Sequence, residues 1–303
     1  MEFRQLLYAI QIAAERNFSR AAEKLHIAQP SLSQQLSKLE KELGVLLFKR
    51  STNSVEMTYA GSVFVDKAQQ IVDMTEQLRR EMEDIADLRK GRLVVGSLPT
   101  TGAQVLPHVL PAFRAAYPEI EVALIEESTK KLEQLTASGG TDVSLLSLPL
   151  EEPALAYEPI LDEEICLAVP PDHPLARRHA EGSPSAVAVS DLRSEPFVLL
   201  KRGQGFRYIA YNICRQAGFE PRTVFESTNI ETVQALVGAG MGISFVPRMI
   251  ARKNGAEGSP VYLPLEGRPT RTLVIAYRKG RYLSNAAEAF ISTFLETIER
   301  VKP

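Results

Sequence analysis

The stretch "NFSRAAEKLHIAQPSLSQQLSKLEKELGVLLFKR", Asn17 to Arg50, decides the fold. Ser19 is placed as an N-cap for a short helix, "RAAEKLHI", because a hydroxyl there can accept a bond from an unpaired first-turn amide. The next helix starts near Gln29–Pro30, where proline is tolerated because first-turn amides have no helical partner. It stops near Gly44, which accepts the left-handed backbone of a helix end. On this helix Leu32, Leu36, Leu39 and Leu43 step by 4, 3 and 4 residues, one narrow apolar stripe. At about 100° per residue, Pro30, Ser31, Gln34, Ser37, Lys38 and Lys41 fall on the opposite side, flanked by Ser33 and Gln35. Two short extended pieces follow around the turn-forming Ser51–Ser54. The pattern is a helix-turn-helix with a wing.

Upstream, Phe3, Leu6, Leu7, Ile10 and Ala14 mark an amphipathic helix over Met1–Asn17. Downstream, a long helix is expected from about Thr58 to Arg89, with Val63, Ile71, Met74, Leu78, Met82, Ile85 and Leu88 forming most of a stripe. A small N-terminal domain cannot bury a stripe this long, so a seam between two copies of the chain is the economical reading. After Gly91, strands and helices alternate: "RLVVGS", a helix over Thr101–Tyr117, "EIEVALIE", a helix over Thr129–Ala137, and "TDVSLLSL". Such alternation implies a mainly parallel sheet with crossover helices. A second unit begins at "EEICLAVPPDHPLA". The last strand, "RTLVIAYRKG", and a helix from Ser284 return to the first unit, with crossings near Asp162–Ile165 and Leu265–Pro269.

Bulk properties narrow the function. At 303 residues two or more domains are expected. No apolar run reaches the roughly 18 residues that span a bilayer, and "MEFRQLLYAI" lacks a signal peptide's basic start, so a cytoplasmic protein without membrane partners is expected. Cys166 and Cys214 read as buried thiols, with a redox pair meeting in space as the alternative. His26, on the second helix, and His108, His173 and His179 form no metal or triad spacing. Ser244 sits on a strand rather than in a nucleophile elbow, and no phosphate-binding glycine loop is present. The expectation is no catalytic residue, no metal and no cofactor.

Three segments, "AAEKLHIAQPSLSQQLSKLEKELGVLLFKR…MTYAG", "DHPLA" and "LVGAGMGISFVPR", in this order, resemble LysR-type transcriptional regulators. The resemblance spans the chain and is strongest in the first 61 residues. It implies an all-α winged helix-turn-helix DNA-binding domain over 1–58 and a dimerising linker helix over 59–90. It further implies a two-lobed α/β effector domain, like periplasmic binding proteins, over 91–303. Lobe I would take about 91–162 and 268–303, and lobe II about 163–267. The implied function is sequence-specific transcription regulation by a homodimer or homotetramer on promoter DNA, modulated by a small molecule between the lobes. Ala28 stands where the family often has Ser or Thr, and Asn53 where its wing often has a second arginine.

A recognition helix reads major-groove base edges with short polar side chains free of packing duty. Gln29, Pro30, Ser31, Ser33 and Gln34 fit that role, while Ser19, Arg20, Lys38, Lys49 and Arg50 suit phosphates. In open α/β sheets ligands sit beyond strand C-termini, where loops feed helix N-termini. That places Ser97, Pro99, Thr100, Thr101 and Gln104 in one loop, Ser128 and Thr129 in a second, and Lys201, Gly203 and Phe206 in a third, with Thr228 and Phe245 nearby. Hydroxyls on helix N-termini favour a carboxylate or other anion as effector. Lys201, Arg202 and Arg207 are candidates for added charge, and Phe206, Phe225 and Phe245 for an apolar wall, although core packing is the expected fate of at least two of the three.

Overall fold

The computed structural model describes residues 1–50, 55–86, 91–180, 186–251 and 258–301. They fall into two compact units, Met1–Ala86 and Asp87–Pro303.

The first unit contains α1 (Phe3–Glu15), α2 (Phe18–Lys24), α3 (Gln29–Leu43), the antiparallel strands β1 (Phe48–Arg50) and β2 (Val55–Met57), and α4 (Tyr59–Ala86). Leu32, Leu36 and Leu39 of α3 pack with Ala9, Ile12, Ala21, Ala22, Leu47 and Phe48 in one core. Three local features differ from the sequence reading. The N-cap of α2 is Asn17 rather than Ser19: its side chain accepts bonds from the Ser19 and Arg20 amides at 2.9 and 3.1 Å. Ser19 therefore lies inside the first turn. The helix also ends earlier, at Lys24, and His26 lies in the turn rather than on the helix. His26 has φ 53°, and the Ile27 amide donates to the Ala22 carbonyl at 3.0 Å and the His26 amide to that of Glu23 at 3.1 Å. These two bonds form a Schellman closure. Third, Leu43 is exposed, so the stripe's last member lies outside the core.

Two polar groups join α3, the wing and α4. The buried Glu40 carboxylate accepts the Leu47 and Phe48 amides at 2.8 and 3.1 Å. Thr58 caps α4: its hydroxyl accepts the Gly61 amide at 2.9 Å and donates to the Leu46 carbonyl at 2.7 Å. A Cβ at Gly61 would sit 2.0 Å from the Leu47 carbonyl oxygen, so only glycine fits there. This explains "MTYAG" physically. Along α4, Met74, Leu78 and Met82 are 69%, 57% and 51% exposed, an apolar stripe with no cover among the described residues. Ile85 lies outside the described side chains, and Leu88, Arg89 and the wing turn 51–54 lie outside the described residues.

The second unit begins with β3 (Gly91–Ser97), α5 (Pro99–Ala116), β4 (Ile120–Glu126), α6 (Thr129–Ser138) and β5 (Val143–Ser147). Next come β6 (Leu155–Val169), α7 (Pro174–Ala180), β7 (Pro196–Leu200), α8 (Gly205–Gln216), β8 (Arg222–Ser227), α9 (Ile230–Gly238) and β9 (Ser244–Pro247). β10 (Val261–Pro264), β11 (Thr270–Arg278) and α10 (Asn285–Val301) complete it. The sheet is mixed rather than mainly parallel. β3 pairs in parallel with β4 and β5, whereas β11 runs antiparallel to both β5 and β6 because it returns from the second lobe.

β6 belongs to both lobes. Leu155–Glu164 pairs with β11, and Ile165–Val169 pairs with β9 and β10. The first crossing is therefore an unbroken strand. The second is the turn after β10, where Gly267 and Arg268 take φ 73° and 42°. One core lies around Leu93, Val109, Phe113, Phe290 and Phe294, the other around Ile165, Phe197, Val233 and Phe245, and Met249 touches both.

Candidate nucleic-acid interface and effector cleft

On α3, Gln29, Pro30, Ser31 and Gln34 are exposed and Ser33 is half-buried. Gln35 is held from α1, because Gln5 Nε2 donates to its side-chain oxygen at 3.4 Å. Ala28 caps the helix without a side-chain bond, which leaves the first-turn amides open. Lys38 is exposed and pairs with Glu2 at 3.4 Å. Lys49 is exposed on β1, and the Arg50 side chain lies outside the described residues. Ser19 and Arg20 are exposed at the start of α2, but Arg20 already has partners. Its Nη2 donates to the Glu15 carbonyl at 2.8 Å, and its Nε lies 3.8 Å from the Glu15 carboxylate. That carboxylate also pairs with Lys24 at 2.6 Å. The Lys24 hydrogen bond holds the Glu15 carboxyl below the usual range.

In the second unit a cavity of about 570 Å³ opens between the lobes. Four helices start on it: α5 at Pro99–Thr101, α6 at Ser128–Thr129, α8 at Gln204–Phe206 and α9 at Asn229–Glu231. Only α9 of the four is capped by the side chain of its own N-cap residue, Asn229 bonding the Glu231 amide at 2.7 Å; Leu98, Ser128 and Gln204 make no such bond for α5, α6 and α8. The α8 start is closed by Thr129, whose hydroxyl accepts the Gly205 amide at 2.9 Å, so the starts of α5 and α6 supply the anion-favouring surface. Leu98, Leu200, Phe206, Ile230, Pro247 and Ile250 supply the apolar lining, and the exposed Glu127 and Glu231 add negative charge.

Of the sequence candidates, Pro99, Thr100, Thr101, Ser128, Thr129, Phe206 and Thr228 line this cavity. Ser97 is buried behind the first turn of α5 and donates to the Leu98 carbonyl at 3.0 Å. Gln104 and Lys201 are exposed away from the lining, and Gly203 faces a second interlobe hollow. Phe245 is not part of the wall: it is 1% exposed, with its ring 5.7 Å from Phe197 in the second lobe's core, because alternation on β9 turns it inward. Phe225 is exposed. Arg207 bonds the Leu200 carbonyl, Glu226 and Tyr211.

Arg271 is a cavity residue that the sequence does not announce. It lines the cavity on β11, pairs with Glu163 of β6 at 2.7 Å, and both side chains are 5% exposed. Glu163 also accepts the Met249 amide at 2.7 Å, so the pair ties the crossing strands to the residue that touches both cores. Burial pulls the Arg271 guanidinium down, opposed by Glu163. Nearby Thr129 and Gly205 bridge the lobes through a 2.9 Å bond.

Both cysteines are fully buried. Burial pushes the Cys214 thiol up to about 12 and raises that of Cys166 although Arg248 opposes it. Among the described residues no cluster of potential metal ligands occurs, and no helix is long and apolar enough to cross a membrane.

Two family descriptions match the sequence: "Bacterial regulatory helix-turn-helix protein, lysR family" over residues 3–62 and "LysR substrate binding domain" over 86–299. The chain is 39% identical to the HTH-type transcriptional regulator YcgK of Bacillus subtilis, over 99% of this chain and 96% of that one. It is 35% identical to a hydrogen peroxide-inducible genes activator of Escherichia coli O157:H7, over 95% and 93%. The full-length structure of an OxyR variant from Pseudomonas aeruginosa superposes with a TM-score of 0.71 at 29% identity, over 99% and 95% of the two chains. A helix-turn-helix with exposed amides and hydroxyls and a two-lobed cleft thus coincide with both halves of one family, and the chain belongs to the LysR family of DNA-binding transcriptional regulators.

Proposed function

We propose that this regulator senses a small carboxylate or similar anion in the interlobe cavity. The observation that carries the reading is the convergence of four helix starts on one cavity, those of α5 and α6 without a side-chain cap, with Arg271 in the same lining. The division into a DNA-binding region 1–58, a linker 59–90 and an effector region 91–303 belongs to the same reading. Gln29, Pro30, Ser31, Ser33 and Gln34 read bases; Ser19, Arg20, Lys38, Lys49 and Arg50 hold phosphates. The exposed α4 stripe pairs two chains in the oligomer. A ligand that prefers one lobe closure shifts the population toward it, and a tenfold preference supplies about 1.4 kcal/mol of coupling.

Thiol oxidation by peroxide, as the name of the Escherichia coli relative suggests for that protein, is disfavoured here. Both cysteines are buried with raised thiol pKa values, and the thiolate is the reactive form. Thermal-shift titration with a panel of small carboxylates tests the reading. A melting point that rises with one acid's concentration is expected. A change in promoter binding on adding peroxide, abolished when Cys166 and Cys214 are replaced by serine, would overturn it. For DNA, Gln34→Ala should relax preference at one base position with the salt slope unchanged, whereas Lys49→Ala should weaken binding to all sequences alike.

A further inference from the structure

Glu15, Arg20 and Lys24 form one cluster at the start of the helix-turn-helix. Its three members differ in exposure: the Arg20 and Lys24 side chains are each 64% exposed, the Glu15 side chain 15%. The carboxylate therefore lies beneath the two cations. It takes Lys24 at 2.6 Å and approaches Arg20 at 3.8 Å, while Gln11 Nε2 donates to it at 3.2 Å. The first helix of such a motif crosses the DNA backbone, and here Arg20 lies in its first turn and Lys24 in its last, both side chains on the surface. A carboxylate presents the same acceptor chemistry to a guanidinium and an ammonium as a phosphate does.

We infer that Glu15 is an internal stand-in for a DNA phosphate, which holds the net charge of the Glu15–Arg20–Lys24 cluster at one rather than two and so sets the strength of the phosphate grip. This rests on the reading of Arg20 as a phosphate-binding residue and adds Lys24 to it. Each phosphate neutralised contributes nearly one unit of log–log salt slope. Glu15 thus lowers affinity for promoter and unrelated sequences alike, because phosphate contacts position the protein without reading sequence. The cations stay oriented toward solvent in the free protein, and the backbone meets them already ordered.

The test uses the full-length protein and fluorescence anisotropy on a duplex of random sequence across a salt series. Glu15→Gln keeps the acceptor for Gln11 and removes the charge. It should raise affinity roughly three- to tenfold at low salt and steepen the slope by about 0.9 per contacting subunit. Glu15→Asp, which retains the charge, should keep the parental slope. In the Arg20→Ala/Lys24→Ala background, Glu15→Gln should add nothing. If it adds the same gain there, the effect is bulk charge and the inference falls; it falls equally if Glu15→Gln weakens binding. Should Arg20→Ala and Lys24→Ala leave the slope unchanged, the phosphate reading beneath the inference fails instead. Melting curves identify any variant that does not fold, and Glu15→Ser then serves as the second neutral variant.

Discussion

The Gly205 amide in one lobe donates to the Thr129 hydroxyl in the other at 2.9 Å, and a Cβ at 205 would lie 3.1 Å from the Thr129 Oγ1 and Cγ2 atoms. The approach of the lobes at this point thus depends on a hydroxyl on one side and on the absence of a side chain on the other. Thr129→Val keeps the shape and removes the acceptor. The variant should lose about 1–3 kcal/mol, the cost of leaving a part-buried amide unpaired. Urea denaturation measures it, and an unchanged midpoint would show that the contact contributes nothing.

Glu163 and Arg271 offer a second measurement. Breaking a buried pair by removing one partner leaves an uncompensated charge, so Arg271→Met or Glu163→Leu alone should cost about 3–5 kcal/mol. The double variant should recover most of that loss. Chemical denaturation of the three variants gives the coupling energy directly.

Gly61→Ala tests the approach of α4 to the wing. The added methyl meets the Leu47 carbonyl oxygen at 2.0 Å, which is backbone and cannot rotate away. A loss of about 1–3 kcal/mol is expected from the forced shift, visible as an early melting transition of the N-terminal unit. A neutral outcome would mean that this helix does not pack as described.

Glu133 gives a pH dependence. Its carboxylate is buried and accepts the Glu151 and Glu152 amides at 3.0 and 2.9 Å, yet burial raises it above the usual carboxylate range. The folded chain therefore binds this proton more tightly than the unfolded chain does. Its contribution to stability is largest below the ordinary carboxylate pKa and declines as pH rises through the raised folded value. Glu133→Gln should flatten that decline, measured as the melting-temperature difference between mildly acidic and neutral buffer.

Much of the architecture is written in local pattern. The leucine spacing of α3, the glycine at its end and the alternation after Gly91 all express periods of 3.6 and 2 residues in the side chains themselves. The remainder depends on contacts distant in sequence or on backbone geometry. Asn17 and Ser19 are both capping residue types two positions apart, and only the path of the chain starts the helix at Phe18, so that Asn17 takes the Ser19 and Arg20 amides. "RTVFES", β8, is half-exposed and has no apolar run to announce it as a strand. Arg271 lies 108 residues from Glu163, so nothing near it in the chain marks its burial. Phe245 shows the converse: aromatic character suggests a wall, but strand alternation assigns it to the interior.

β6 runs for 15 residues without interruption and carries hydrogen bonds for both halves of the sensor. The halves are thus mounted on one torsion bar. They can twist or lean against each other, but wide gaping would tear ladder bonds on one side of Ile165 or the other. Signalling through this frame is a matter of small angles, and the stiffness of a shared plank sets how far any occupant of the cleft can turn it.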